Sequence, residues 1–530
     1  MQKLPIGIST FKEIRKKYGY YVDKTLLLKK LVDNGKYYFM ARPRRFGKSL
    51  FIDTLKQAFL AEKKYFKGLF LEQNWDWAQK YPVIHISFGA GVIQSARHLN
   101  EVINYNMDKH YAVYKITNRY KSPDIKFHEL IKILHEKYQQ QVVILIDEYD
   151  KPILDNITET GIALEIREGL KNLYSVIKDC DEFLKFVFFT GVSKFSKVSL
   201  FSGLNNLTDI TLDHRYATLC GYTHPELIHT FKDRLDGVDQ DKIKLWYDGY
   251  SFLGETVYNP YDILLYLDSG VYKNYWFETA TPSFLIKLIR ERKYFVPRIE
   301  DIKATETLLS SFDVDVIELE TLLFQTGYLT ITGRRQVGAR EIYELGYPNL
   351  EVKMSLTDYI LHYLLKETSN KEDNKIAIYE ALVEADFDKL QTVFHSLFAS
   401  IPYNWYVNND LDKYEGYYAS IFYCYFAALG IDVKPEDPTN HGRIDLTIKL
   451  DRHIYLIEFK VIELDQNKNK ALAQIKTKKY FEKYQALLHS DDYKIFLVGV
   501  DFSRNEKNIV GFEWERLKNS FSALLNKNGF

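Results

Sequence analysis

Cysteine is scarce in this chain of 530 residues: Cys180, Cys220 and Cys424 stand far apart. That excludes a disulfide framework and a CxxC zinc knuckle. A charge of one sign is also lacking. The 71 Lys and Arg balance 71 Asp and Glu, so any basic surface must be local. No stretch approaches the roughly 20 apolar residues of a bilayer span. The opening MQKLPIGISTFKEIRKKYGY lacks the apolar run of a secretory signal. The expected setting is a reducing cytoplasm, without membrane contact. Histidines are scattered, with no HExxH or paired-ligand spacing, so His85, His128 and His214 read as structural. No internal repeat and no low-complexity tract occurs.

Apolar residues reach 46% and charged residues 27%, the composition of a folded protein. Disorder as the main state is excluded, and the length predicts about three or four domains. Aromatics are plentiful, with 41 Tyr and 34 Phe. Spread along the whole chain, they indicate cores more than a base-stacking platform.

The first half alternates strands and helices. Strands are expected at 36–41 (KYYFMA), 83–88 (VIHISF), 142–146 (VVILI) and 186–190 (FVFFT), and helices at 50–60 and 127–139. Apolar strands separated by helices imply a parallel sheet covered on both faces. Residues 220–290 read as mostly helical. Over 315–362 a helix, the hairpin YLTITGRRQVGAREIYEL and a second helix suggest a winged-helix module. The polar run KETSNKEDNK, 366–375, reads as a linker or exposed loop. The expected organisation is a P-loop core over 1–220, a helical lid over 221–310, a winged-helix-like module over 311–366 and a C-terminal domain over 376–530.

The segment ARPRRFGKS, 41–49, lies between an expected strand and helix. Gly47, Lys48 and Ser49 form the latter half of a phosphate-binding loop. There, backbone N–H groups cradle phosphates, Lys48 neutralises charge and Ser49 can ligate Mg²⁺. The first glycine of GxxxxGK[ST] is replaced by Arg42, and Arg42, Arg44 and Arg45 are expected to add positive charge to the loop. In VVILIDEYDKP, Asp147 and Glu148 end an apolar strand. That is the Walker B layout, with Asp147 holding Mg²⁺ and Glu148 orienting or deprotonating the attacking water. Each piece alone has a bland reading, but their order and strand–loop contexts reinforce one another. FVFFTGVSK places Thr190 and Ser193 where a polar group can sense a γ-phosphate or simply cap the strand.

These segments, together with PIGISTFKEI, YYVDKT, FFTGVSKFSKVSLFSGLNNLTDIT, YATLCGYT, WYDGY and YNPYDI, resemble the AAA-ATPase-like domain of many bacterial proteins over residues 4–290. The resemblance implies ATP binding and hydrolysis, with Arg44, Arg45, Phe46, Gly47, Lys48, Ser49, Asp147 and Thr190 around the nucleotide. In AAA-type enzymes an arginine completes the site, often from a neighbouring subunit of a homo-oligomer. Arg215 is one candidate, and a structural salt bridge is its other reading.

The second constellation is HGRIDLTIKLDRHIYLIEFKV, 441–461. If Asp451 and Arg452 form a two-residue turn, Leu450 opposes His453 and Asp445 falls opposite Glu458. Opposed side chains share a face about 4.5–5.5 Å apart. Two carboxylates that close repel unless a cation lies between them, and Mg²⁺ or Mn²⁺ suits hard oxygen donors. Lys460 shares the face of Glu458 and can meet a phosphate or activate water. Ordinary surface charge is the bland alternative, but YLIEFKV is otherwise an apolar strand, where ionisable groups need a reason.

The spacing D–x₁₂–ExK resembles the PD-(D/E)XK nuclease superfamily over 405–510, which implies an α/β/α restriction-endonuclease-like domain. Within it, Asp445, Glu458 and Lys460 carry over as catalytic or metal-holding residues, Glu415 as a further metal ligand, and Gln474 as a positioning or DNA-contacting residue. Residues 468–484 carry six lysines and one acid, a local basic stretch that can track a phosphate backbone or be an ordinary solvated face. Together the resemblances imply an ATP-regulated, metal-dependent deoxyribonuclease, by analogy a defence or mobile-element protein, with RNA also open as substrate. The alternative is a nucleotide-switched binding protein whose winged helix holds DNA or a partner and whose nuclease fold is a scaffold.

Overall fold

The computed structural model describes all residues except 1, 196–199, 202–203, 205, 278–284, 286–287, 290–291, 293, 311–317, 366–370, 402–414, 463–469, 490–492, 504 and 519–530. The chain forms two compact units: Met1–Leu285 with Ile302–Glu351, and Ile286–Asp301 with Val352–Phe530.

The first unit is built on β1 (Tyr37–Ala41), β2 (Val83–Ser87), β3 (Val142–Asp147), β4 (Leu184–Gly191) and β5 (Thr208–Asp209). All neighbours are parallel, in the order β2-β3-β4-β1-β5. Every residue of β1 and β3 is buried. Successive side chains point to opposite faces, so both faces are covered, as their continuous apolar runs require. The expected helix at 50–60 begins two residues earlier, at Lys48, because the loop glycine Gly47 caps it at φ 93.

Helices and short turns follow to residue 275. They pack on the N-terminal segment through a core that includes Leu4, Tyr20, Val22, Leu227 and Phe231. A small antiparallel sheet, β6-β8-β7, joins β6 (Ile302–Thr305), β7 (Thr330–Val337) and β8 (Arg340–Gly346). With the helices Glu306–Ser310 and Leu319–Thr326 this is the strand–helix–helix–strand–strand order of a winged helix. Its first strand lies upstream of residue 311 and pairs through Ile302 and Leu345. The second helix, which in such a module would enter a DNA groove, is buried from Thr321 to Gln325.

The second unit contains β9 (Asp432–Thr439), β10 (Gly442–Leu450), β11 (His453–Ile462), β12 (Lys494–Ser503) and β13 (Asn508–Arg516), ordered β13-β12-β11-β10-β9. Only β11 and β12 are parallel. One face packs on helices Phe387–Ala399 and Glu415–Ala428 through Phe387 against Tyr455 and Phe422 against Phe459. The other face packs on helix Lys470–Thr477 and the turns after it through Leu456, Leu472, Ile475 and Leu497. Alternation along β11 therefore separates the Phe459 face from the Glu458 face.

Residues 371–375 are not linker. They open the helix Lys371–Glu384, and Lys371 and Lys375 both pair with Asp358, at 2.8 and 2.5 Å. A polar run without periodicity conceals a helix when its charges have a tertiary partner. Residues 366–370 of that expected linker lie outside the described residues. Among the described residues, the three cysteines are free and buried, and no helix is long and apolar enough to cross a membrane.

Candidate functional site

In the first unit, β1 delivers the 42–47 loop to the end of the sheet, and β4 separates it from β3. A cavity of about 490 Å³ opens there, lined by Arg44, Arg45, Gly47, Lys48, Ser49, Glu148 and Asp150 among others. The loop is held mainly by its other members. Arg42 does not add charge to the cavity. It is 1% exposed, and its guanidinium donates to Ala41 O, Thr211 O and Tyr216 O at 2.9, 2.7 and 3.3 Å. The same group lies 3.8 Å from the Phe252 ring centroid. Burial lowers its pKa to about 10, which leaves it charged at neutral pH. Phe46 likewise points away from the cavity, packing edge-on against Tyr250 at 4.7 Å.

Lys48 is buried and donates to the carbonyls of Arg42 and Pro43, at 2.9 and 2.8 Å. Burial lowers its pKa, and the Asp147 carboxylate opposes that shift. Burial raises the pKa of Asp147, with Ser49 and Lys48 beside it opposing the shift. Register places Asp147 beside Ser87 on one side and Thr190 on the other. Asp147 Oδ1 and Thr190 Oγ1 are both buried and have no hydrogen-bond partner among the described residues. Orphaned buried oxygens are costly, and two of them paired across β3 and β4 suit a missing polar group. A hydrated divalent cation carried by a nucleotide phosphate fits that chemistry.

Glu148 lines the cavity with φ 52, a left-handed value that turns the chain sharply after β3. A Cβ at Gly89 would stand 3.1 Å from Glu148 Oε2, so the segment after β2 approaches this carboxylate closely. Asp150 was not singled out in sequence. Fully enclosed, it accepts from Val192 N, Ser193 N and Ser193 Oγ at 3.0, 2.6 and 2.6 Å. It ties the β3 turn to the loop after β4, and Ser193 is thereby an anchor. A third acid in the run ILIDEYD was the signal available. Arg215 forms a bidentate pair with Asp213, at 2.6–3.1 Å, and does not line the cavity.

In the second unit, Asp451 takes φ 51 in the two-residue turn, and Leu450 pairs with His453. The ladder runs from there to Leu446 and Ile457, one residue short of Asp445 and Glu458. Asp445 Oδ2 accepts from Phe459 N at 2.7 Å, which fixes its carboxylate over β11. Glu458 is 1% exposed, with Lys460 Nζ 3.8 Å from its Oε1. Gln474 Nε2 donates to the same Oε1. Tyr480 lies beside Glu458 and Gln474, and burial raises its pKa. The site thus gathers Asp445, Glu458, Lys460, Gln474 and Tyr480 on one face.

Asp501 is the residue that sequence reasoning missed here. It neighbours Lys460 in the parallel β11–β12 register and is 1% exposed. Its Oδ1 accepts from Ala471 N at 3.2 Å, at the start of the helix that carries Gln474. A Cβ at Gly499 would stand 2.3 Å from Leu472 N, so this glycine lets the helix lie directly on β12. Because β12 is remote in sequence, spacing alone gave no signal. Glu415 opens the helix whose Phe422 packs on the Phe459 face, and its side chain lies outside the described residues.

Among the described residues no group of three or more His, Cys, Asp or Glu stands together as a metal cage. Asp445 and Glu458 offer hard oxygen donors from two strands, which suits a divalent cation completed by water and phosphate. The basic stretch is partly neutralised internally. Lys476 pairs with Glu515, Lys479 with Glu482 and Lys483 with Asp437. Lys468 lies outside the described residues.

Residues 5–201 match the family model described as a predicted AAA-ATPase. Residues 413–512 match the PD-(D/E)XK nuclease superfamily. A curated relative, "Uncharacterized protein in vnfD 5'region" of Azotobacter chroococcum mcd 1, is 49% identical over 517 residues, covering 97% of this chain and 99% of its own.

Proposed function

We propose that this chain, which belongs to the predicted AAA-ATPase family and carries a C-terminal PD-(D/E)XK nuclease superfamily domain, is an ATP-hydrolysing protein that cleaves DNA with a divalent metal. The observation that supports the reading is Asp445 held at β11 by Phe459 N, with Lys460 and Gln474 gathered on Glu458.

At the nucleotide site, Lys48 leaves the carbonyls of its own loop for the β- and γ-phosphates, whose charge is the stronger partner. Gly47 and the helix N-terminus supply N–H donors. Ser49 and Asp147 would hold Mg²⁺, which when bound offsets charge on the phosphates. Glu148 orients the attacking water and takes its proton. Thr190, on the strand between the two, meets the γ-phosphate, and Asp150 fixes the loop after it.

At the nuclease site, Asp445 and Glu458 would hold Mg²⁺ or Mn²⁺, which when bound stabilises charge on the scissile phosphate. Lys460 pairs with that phosphate and orients the attacking water. Gln474 holds Glu458 in place.

A second reading follows from the enclosure of Glu458 beneath Gln474. If that contact is permanent, the nuclease fold is a scaffold and ATP switches binding instead.

The test incubates the purified chain with circular and linear DNA, and with RNA, in Mg²⁺ or Mn²⁺, with and without ATP, beside Lys460→Ala and Lys48→Ala. DNA cutting that vanishes in the Lys460 variant supports the nuclease, and loss in the Lys48 variant supports ATP gating. ATP hydrolysis without cutting under any condition transfers the reading to the nucleotide-switched binder.

A further inference from the structure

The three loop arginines are used differently. Arg42 is consumed by the core. Arg44 and Arg45 are exposed, and they are the only arginines lining the cavity among the described residues. Neither forms a salt bridge with a described carboxylate. Arg45 has φ 68, a backbone state that a side chain of this size rarely adopts. The loop is pinned on both sides of it. Trp276 Nε1 donates to Arg44 O at 3.2 Å, and Gly221 N donates to Phe46 O at 3.2 Å. The conformation is therefore held by the surrounding fold, and it turns Arg45 toward the cavity. Its guanidinium rests 4.6 Å from the ring centroid of Tyr261. Tyr261 belongs to the helix Pro260–Ser269, and Tyr261 and Leu264 line the same cavity.

We propose that Arg45 contacts the terminal phosphate of the bound nucleotide, so that the charge-stabilising arginine comes from this chain's own phosphate loop, and that Tyr261 holds it when that phosphate is absent. The inference rests on the nucleotide-binding reading above. An exposed cation–π contact is weak, whereas a guanidinium–phosphate pair is charge-assisted and bidentate, so the exchange favours the phosphate. In hydrolysis the water oxygen bonds to the γ-phosphorus, the bond to the β-bridging oxygen breaks, and ADP and inorganic phosphate leave. Arg45 carries charge on the transferring group and neither gains nor loses a proton. Its return to Tyr261 after phosphate release reports the nucleotide state to the Pro260–Ser269 helix.

The experiment uses the full chain and measures binding of fluorescent ATP and ADP analogues together with single-turnover ATP hydrolysis across a range of protein concentrations. Arg45→Ala is expected to slow hydrolysis by roughly 10³-fold while ADP affinity stays within about threefold and thermal unfolding is unchanged. Arg45→Lys recovers part of the ATP affinity but little of the rate. Tyr261→Leu raises the ratio of ATP to ADP affinity. Arg215→Ala hydrolyses as wild type, and the wild-type rate per chain does not depend on protein concentration. Wild-type hydrolysis in Arg45→Ala overturns the inference alone, as does a wild-type rate that climbs with concentration or disappears in Arg215→Ala. A fall in the ATP-to-ADP ratio in Tyr261→Leu removes the resting role of that ring. A wild-type chain that binds neither analogue defeats the nucleotide-binding reading, and this inference with it.

Discussion

Asp150 holds Ser193 twice, through its backbone N–H and its hydroxyl, both at 2.6 Å, and so joins the turn after β3 to the loop after β4. Gly191 makes that contact possible, since a Cβ there would stand 2.3 Å from Asp150 Oδ1. Asp150→Ala would strand buried donors and cost about 2–4 kcal/mol. Urea unfolding measures this. Gly191→Ala should be comparably damaging, and an unchanged midpoint in both would remove the anchor.

Arg42 stands where a phosphate loop normally has its first glycine. Restoring that glycine should harm the protein. Arg42→Gly forfeits the hydrogen bonds to Thr211 and Tyr216 and the stacking on Phe252, at a cost of roughly 3–5 kcal/mol. The midpoint of chemical unfolding should fall, while the fraction still folded binds nucleotide with affinity near wild type. Unchanged stability would show that this guanidinium is not a core element.

Asp501 acts through the helix it caps. Asp501→Ala should weaken the start of Lys470–Thr477 by about 1 kcal/mol. Amide hydrogen exchange over 471–477 should quicken, and the metal concentration needed for cleavage should rise as Gln474 loosens from Glu458. Exchange that stays at the wild-type rate would separate Asp501 from this helix.

Stability should depend on pH through Asp262. Burial and the adjacent Glu351 carboxyl hold its pKa well above the ordinary carboxylate range. The folded state therefore binds this proton more tightly than the unfolded chain. Its stabilising contribution is complete below the unfolded pKa and is lost as pH rises through the folded one. The melting temperature should fall as pH rises above the ordinary carboxylate range, and Asp262→Asn should flatten that fall. A parallel decline in wild type and variant would assign the slope elsewhere.

Much of both sites was legible because their chemistry is local. GKS after an apolar strand, two acids ending another, and Asp and Glu placed symmetrically about Asp451-Arg452 each fall within one or two adjacent elements. The turn count that paired Leu450 with His453 needed only the period of a strand. Arg42 misled because its charge suggested the cavity, while the carbonyls of Thr211 and Tyr216 and the ring of Phe252, all from distant segments, drew it into the core. The linker reading failed at Lys371 and Lys375 for a related reason: Asp358, on another helix, gave those charges a partner.

The sequence by itself determined most of the element types, the candidate phosphate loop and the hairpin turn, since periodicity and turn residues act over a few positions. Only the tertiary structure decided what stands beside them. It put β4 between β1 and β3, brought Asp150 to Ser193, and laid Asp501 under the helix that carries Gln474. It also buried the second helix of the middle module from Thr321 to Gln325. These choices depend on burial and on partners remote along the chain, where desolvation and packing outweigh local preference.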